Sequence, residues 1–213
     1  MSQSIEVAVI GGGQAGLSMS YILTGQGRSH IVFEKDRIGE AWRTGRWDSF
    51  TLVTPNWSVQ LPSFEYQGDE PDGFMPRQEI VQYLEGYAAH SKAPLHTGET
   101  VTSVEANADG NGYKVTTSDG RYDASNVVVA TGLFQQPKLP AFSSQLPASV
   151  VQMHTSQYRN PEQLPPGAVL IVGSGQSGCQ IAEELQDSGR QVYLSVGSAG
   201  RMPRRYRGKD FVH

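Results

Sequence analysis

The residues best placed to do chemistry in this chain are glycines. Gly11-Gly12-Gly13-Gln14-Ala15-Gly16 and Gly173-Ser174-Gly175-Gln176-Ser177-Gly178 both fit the spacing GxGxxG. Each follows a short run rich in β-branched residues and precedes apolar residues at helical spacing. In that setting the first glycine (Gly11, Gly173) makes a tight turn, and the second (Gly13, Gly175) lets a diphosphate approach bare amides. The third (Gly16, Gly178) permits close packing of helix on strand, and the helix N-terminus adds positive potential. Gln14, Ala15, Gln176 and Ser177 supply the intervening amides. Two dinucleotide sites are therefore expected, the plain alternative being two glycine-rich turns without a ligand.

The ends of the strands that follow distinguish the two ligands. Glu34, with Lys35 beside it, lies 23 positions after Gly11, where a carboxylate can accept hydrogen bonds from free ribose hydroxyls. This suits the adenosine half of FAD or NAD. At the matching place in the second copy stands Ser195, with Arg201, Arg204 and Arg205 following. A neutral residue near arginines suits a 2′-phosphate, because guanidinium forks match phosphate oxygens, so NADPH is expected there. The alternative for this basic stretch is a solvated tail.

Other chemistries find little support. Gly175-Gln176-Ser177-Gly178-Cys179 misses the GxSxG hydrolase elbow at its last residue, and the five histidines show no HxxxH or HExxH spacing. Cys179 is the single cysteine, so an internal disulfide, a CxxC pair and a thiolate metal site are excluded, and a structural role is expected for it.

The elements that must position these groups follow from hydrophobic periodicity. Residues 5–10 read as a buried strand, residues 15–23 as a helix and residues 30–34 as a second strand, a βαβ unit of the expected length. Residues 39–76 hold four prolines and all three tryptophans and read as a long irregular excursion. An i, i+3, i+4, i+7 stripe predicts a helix over 77–90. Short strands at 101–104, 113–117 and 121–123 make a meander, and 126–130 returns as a separate buried strand. After a proline-rich connection the opening pattern repeats, with a strand at 168–172, a helix face at 181–185 and a strand at 191–196. Only 17 residues remain beyond it, whereas a doubly wound sheet needs at least two or three more strands, so the second unit is expected to be incomplete.

The fold expected is α/β: a Rossmann-like FAD-binding domain with a small β-meander at 1–165, then a partial second Rossmann NAD(P)-binding domain at 166–213. Composition agrees. With 38% apolar residues, 18% charged and a net charge of -4, the chain should fold, and its slight acidity disfavours nucleic acid as a partner. No apolar run approaches the roughly 18 to 20 residues of a membrane span, and no basic-then-apolar leader opens the chain. A soluble, cytoplasmic protein is expected.

The sequence also resembles a family. Gly39-Glu40-Ala41-Trp42 is similar to the GGxW segment of flavin-containing monooxygenases, and Ala130-Thr131-Gly132 to their ATG segment at the crossing between domains. His154 and Tyr158 match the end of the FxGxxxHxxxY signature shared with Baeyer-Villiger enzymes. Arg46-Trp47-Asp48-Ser49, Thr54-Pro55 and the segment 202–208 resemble bacterial flavoproteins labelled as potassium-transport or monooxygenase-like proteins.

The resemblance implies FAD and NADPH as cofactors, with Ala130, Thr131 and Gly132 near the flavin nucleotide. It implies that reduced flavin traps dioxygen as a C4a-hydroperoxide and passes one oxygen atom to a nitrogen, sulfur or ketone carbon of a small organic substrate. No side chain is expected to be catalytic, because the cofactor carries the chemistry. Trp42, Trp47 and Asn56 are candidates to line the isoalloxazine ring or else to staple the excursion down. His154 is a candidate hinge or phosphate contact, or a histidine hydrogen-bonded within a linker. A flavin oxidase or reductase without oxygenation, and a non-catalytic nucleotide-binding fragment, stand as alternatives, and a homodimer is left open.

Overall fold

The computed structural model describes residues 2–198 and 203–210. The first βαβ unit forms as expected: β1 (Gln3–Ile10), α1 (Gln14–Gly25) and β2 (His30–Glu34). Val7 and Val9 of β1 pack in one buried cluster with Val32 and Leu23, and Ile5 and Ala8 in another with Ile31 and Phe33. Residues 7–9 are all buried, and a strand covered on both faces is apolar there without alternation, whereas Glu6 before them pairs with Arg28.

The excursion after β2 is less irregular than its composition suggests. It holds a short helix α2 (Glu40–Thr44), a single 3-10 turn (Asn56–Ser58) and a small hairpin of β3 (Gln60–Leu61) and β4 (Phe64–Glu65). Helix α3 (Arg77–Ser91) then packs against α1 and α2 through one apolar face, Ile80, Leu84 and Tyr87.

Strands β5 (Leu95–Thr97), β6 (Val101–Ala106), β7 (Tyr113–Thr117) and β8 (Arg121–Val129) complete one six-stranded sheet in the order β5-β2-β1-β8-β7-β6. Here the expectation needs correcting. The third meander strand and the returning strand are a single strand, β8, which runs antiparallel to β7 over residues 121–124 and parallel to β1 over residues 122–129. Ala124 and Ser125 look like a break in the sequence, but β1 pairs with β8 at residues 122–124 and again at 126–129, on either side of Ser125. The far end of β8 is not buried either, since Val129 is 71% exposed.

The second unit has β9 (Val169–Val172), α4 (Gln176–Asp187) and β10 (Val192–Ser195), with β9 and β10 parallel in a two-stranded sheet. A last hairpin joins β11 (Arg205–Tyr206) and β12 (Lys209–Asp210). Ile181 and Leu185 of α4 enter the same buried cluster as Leu17, Trp47, Phe50 and Tyr158, so the two units share a core. Among the described residues no helix is long and apolar enough to cross a membrane.

Candidate functional site

Each glycine of the first loop has a distinct neighbourhood. Gly11 sits at φ +109°, and a Cβ there would lie 2.5 Å from the carbonyl oxygen of Ala130. The Ala130-Thr131-Gly132 segment therefore closes directly onto the loop. A Cβ on Gly16 would stand 1.8 Å from the Gly11 oxygen, closer than any atom can come. Gly13 differs: a Cβ there would meet nothing within 4 Å. It caps α1 without any side-chain hydrogen bond, and the first helical bond runs from the Leu17 amide to the Gly13 oxygen at 2.9 Å. The amides of Gln14, Ala15 and Gly16 thus have no acceptor inside the helix.

Glu34 reaches this loop from the end of β2. Its Oε2 accepts the Gly12 amide at 2.7 Å and its Oε1 the Asp36 amide at 3.1 Å. Each oxygen keeps a further lone pair for an outside donor. Beside it the Lys35 ammonium lies 3.5 Å from the Gln135 amide oxygen, and Gln135 in turn donates to the Thr131 carbonyl.

The second loop repeats this construction. Gly173 sits at φ +106°, a Cβ on Gly178 would lie 2.0 Å from the Gly173 oxygen, and a Cβ on Gly175 would meet nothing within 4 Å. Gly175 caps α4 without a side-chain bond, leaving the amides of Gln176, Ser177 and Gly178 without helical acceptors. Ser195 stands at the end of β10, where its carbonyl accepts the Gly173 amide at 3.0 Å. Arg204 is engaged with the first unit: it donates to the Val53 carbonyl, pairs with Asp210 at 2.8 Å and lies 4.4 Å over the Phe74 ring. Arg201 lies outside the described residues.

A cavity of about 190 Å³ opens beside the N-terminus of α1, lined by Gln14, Trp42, Leu52, Thr54, Leu61 and Met75 among others. Of the three excursion candidates, Trp42 faces it. Trp47 is 1% exposed and meets Phe50 edge to face at 5.0 Å, so it staples the loop. Asn56 is buried as well, donating to the Glu70 carbonyl at 2.9 Å. Leu52, Leu61 and Met75 were not singled out in the sequence because isolated apolar residues in a loop carry no periodic signal. Arg46 stacks on Trp42 at 5.0 Å, and burial lowers its pKa.

The connection between the units is a hydrogen-bonded bolt. His154 Nδ1 pairs with the Ser156 hydroxyl at 2.8 Å and accepts the Ser156 amide at 3.2 Å, so the ring closes a turn. Tyr158 is buried and donates to Glu184 of α4 at 2.7 Å, and burial followed by the Glu184 carboxylate pushes its pKa upward. The Asp48 amide donates to the Arg159 carbonyl at 2.7 Å, and Gln180 of α4 to the Thr51 carbonyl at 3.1 Å. Cys179 is exposed and bonded weakly to the Ser174 carbonyl. Among the described residues no cluster of His, Cys, Asp and Glu could hold a metal ion.

Residues 8–209 match the family described as pyridine nucleotide-disulphide oxidoreductase. An oxidoreductase designated CzcO-like from Geobacillus kaustophilus is 46% identical over 201 residues, which is 92% of this chain and 56% of that relative. Rice indole-3-pyruvate monooxygenase YUCCA1 is 29% identical over 190 residues, 88% of this chain and 47% of its own length. Among solved structures, a flavin-containing monooxygenase from Stenotrophomonas maltophilia superposes with a TM-score of 0.83 at 28% identity, covering 92% of this chain and 59% of that one. The chain thus spans about half the length of the relatives it matches.

Proposed function

Since this chain belongs to the pyridine nucleotide-disulphide oxidoreductase family, we propose that it is the two-nucleotide part of an NADPH- and FAD-dependent oxidoreductase of the flavin monooxygenase kind. The carrying observation is the duplicated cradle. Two uncapped helix N-termini each follow a glycine whose side-chain direction is open, with a third glycine pressed against the strand behind. The residues present fit a dinucleotide: bare amides for a diphosphate, and at the first site a preset carboxylate for ribose hydroxyls.

In this reading Gly11, Gly13, Gln14, Ala15 and Gly16 hold the FAD diphosphate, and Glu34 with Lys35 holds its adenosine half. The cavity beside Gln14 and Trp42 receives the far end of the same molecule, with Ala130, Thr131 and Gly132 closing over Gly11. Gly173, Gly175, Gln176, Ser177 and Gly178 hold the NADPH diphosphate, and Ser195 leaves room for its 2′-phosphate, with Arg201 as a cation; Arg204, held by Val53, Asp210 and Phe74, is not assigned to it. The His154 turn and the Tyr158–Glu184 bond keep the second cradle fixed to the first. Bound flavin would supply hydride acceptance and reaction with dioxygen, while the protein supplies position and dryness. The S. maltophilia and YUCCA relatives, called monooxygenases, favour oxygen transfer to a small organic substrate over peroxide release. Incubation with NADPH, isotopically labelled dioxygen and candidate amines, sulfides and ketones tests this: label in the product supports it, and hydrogen peroxide alone would leave an oxidase.

A further inference from the structure

The sheet contains a buried carboxylate that the cofactor reading does not use. Glu99 lies in the turn between β5 and β6 and is 5% exposed. Three donors from three different strands converge on it: Thr117 of β7 at 2.5 Å, Tyr122 of β8 at 3.1 Å and Nδ1 of His96 in β5 at 2.8 Å. Burial works to raise this carboxyl's pKa, but the hydrogen bonds from Thr117, His96 and Tyr122 outweigh it and hold the group below the usual carboxylate range. A charge placed there is costly unless each partner is present, and an apolar residue would fill the same space at lower risk.

Its main chain explains the placement. The Glu99 amide donates to the Glu34 carbonyl at 3.1 Å, and the Gly98 amide to the Asp36 carbonyl at 3.1 Å. Thr97 pairs with Glu34 across β5 and β2. The turn held by the Glu99 side chain therefore holds the strand end that presents the Glu34 carboxylate to Gly12.

We propose that Glu99 is a positioning residue for the adenosine half of the first dinucleotide, locking the backbone at 34–36 so that the Glu34 carboxylate faces the ribose hydroxyls. This rests on the reading that the first cradle takes FAD. It acts through Glu34 and touches no ligand itself.

The full 213-residue chain, as wild type, Glu99→Gln, Glu34→Gln and the double variant, is titrated with FAD, with ADP and with NADP+. Glu99→Gln is expected to weaken FAD and ADP by the same factor, about tenfold, and to leave NADP+ unchanged, which also shows that the variant is folded. In the Glu34→Gln background the further effect should vanish, because the group being aimed is gone. Glu99→Asp, which keeps the charge but shortens the reach, should recover part of the loss. Unchanged FAD affinity in Glu99→Gln, equal loss of NADP+, or full additivity with Glu34→Gln would each overturn the proposal while leaving the cofactor reading intact. Failure of the wild type to bind FAD would remove both.

Discussion

At the scale of single residues, the groups that the spacing marked and the groups that the fold uses overlap unevenly. Glu34 was legible because strand length fixes its distance from Gly11, and its carboxylate does reach the loop. Trp47 and Asn56 were marked by type alone, and type does not say whether a side chain faces a ligand or a core, so burial had to decide. Arg204 was marked by charge, and cation–π and carbonyl contacts draw it to Phe74 and Val53. Replacing Glu34 with Gln puts an amide donor against the Gly12 or Asp36 donors, and loss of a charge-assisted bond costs about 2 kcal/mol, or roughly thirtyfold in FAD affinity by calorimetry. Tyr158, Tyr83, Tyr87 and Tyr122 all titrate above their ordinary value of 10.0 in the folded chain, burial being the largest cause in each. The unfolded chain therefore releases these protons first as pH rises. The tyrosines' contribution to stability is complete below pH 10 and falls progressively above it, and urea melts across that range should show a shallower fall for Tyr158→Phe.

At the scale of elements, the two βαβ openings were legible because each combines a buried strand, a glycine turn and a helical stripe within a short span. The meander was misread where pairing overrode local composition: β8 runs on through Ala124 and Ser125 because β1 pairs with it at residues 122–124 and again at 126–129. β5 is three residues long and α2 five, too short for periodicity to register. The glycine loop makes a sharper prediction, because its members do different things. Gly16→Ala drives a methyl into the Gly11 oxygen and should cost about 3 kcal/mol of stability in a denaturant melt. Gly13→Ala meets open space and should leave the melt within about 0.5 kcal/mol of wild type, yet weaken FAD by placing a methyl where the diphosphate approaches. The same contrast should hold for Gly178→Ala and Gly175→Ala with NADP+.

At the scale of the molecule, the repeat and the contrast of Glu34 with Ser195 are visible in the sequence, but the different surroundings of the two glycine turns are visible only in the structure. Gly11 is closed over by Ala130, whereas a Cβ on Gly173, at nearly the same φ, would meet nothing within 4 Å. Leu170, Val172 and Tyr193 expose one face of the β9–β10 sheet, and Leu133 and Phe134 are 92% and 86% exposed after β8. Apolar surface of this kind should bind a hydrophobic dye in solution, and Leu170→Ser with Tyr193→Ser should lower the dye signal without lowering the melting midpoint. The two units otherwise share one core through Ile181, Leu185 and Tyr158, which is why they should melt in a single transition. The most direct test is a titration of the purified chain with FAD and NADP+, followed by flavin absorbance and by calorimetry. The account predicts saturation at one FAD and one NADP+ per chain, with Gly13→Ala weakening only the first and Gly175→Ala only the second. A chain that stays colourless and takes up neither nucleotide would contradict it.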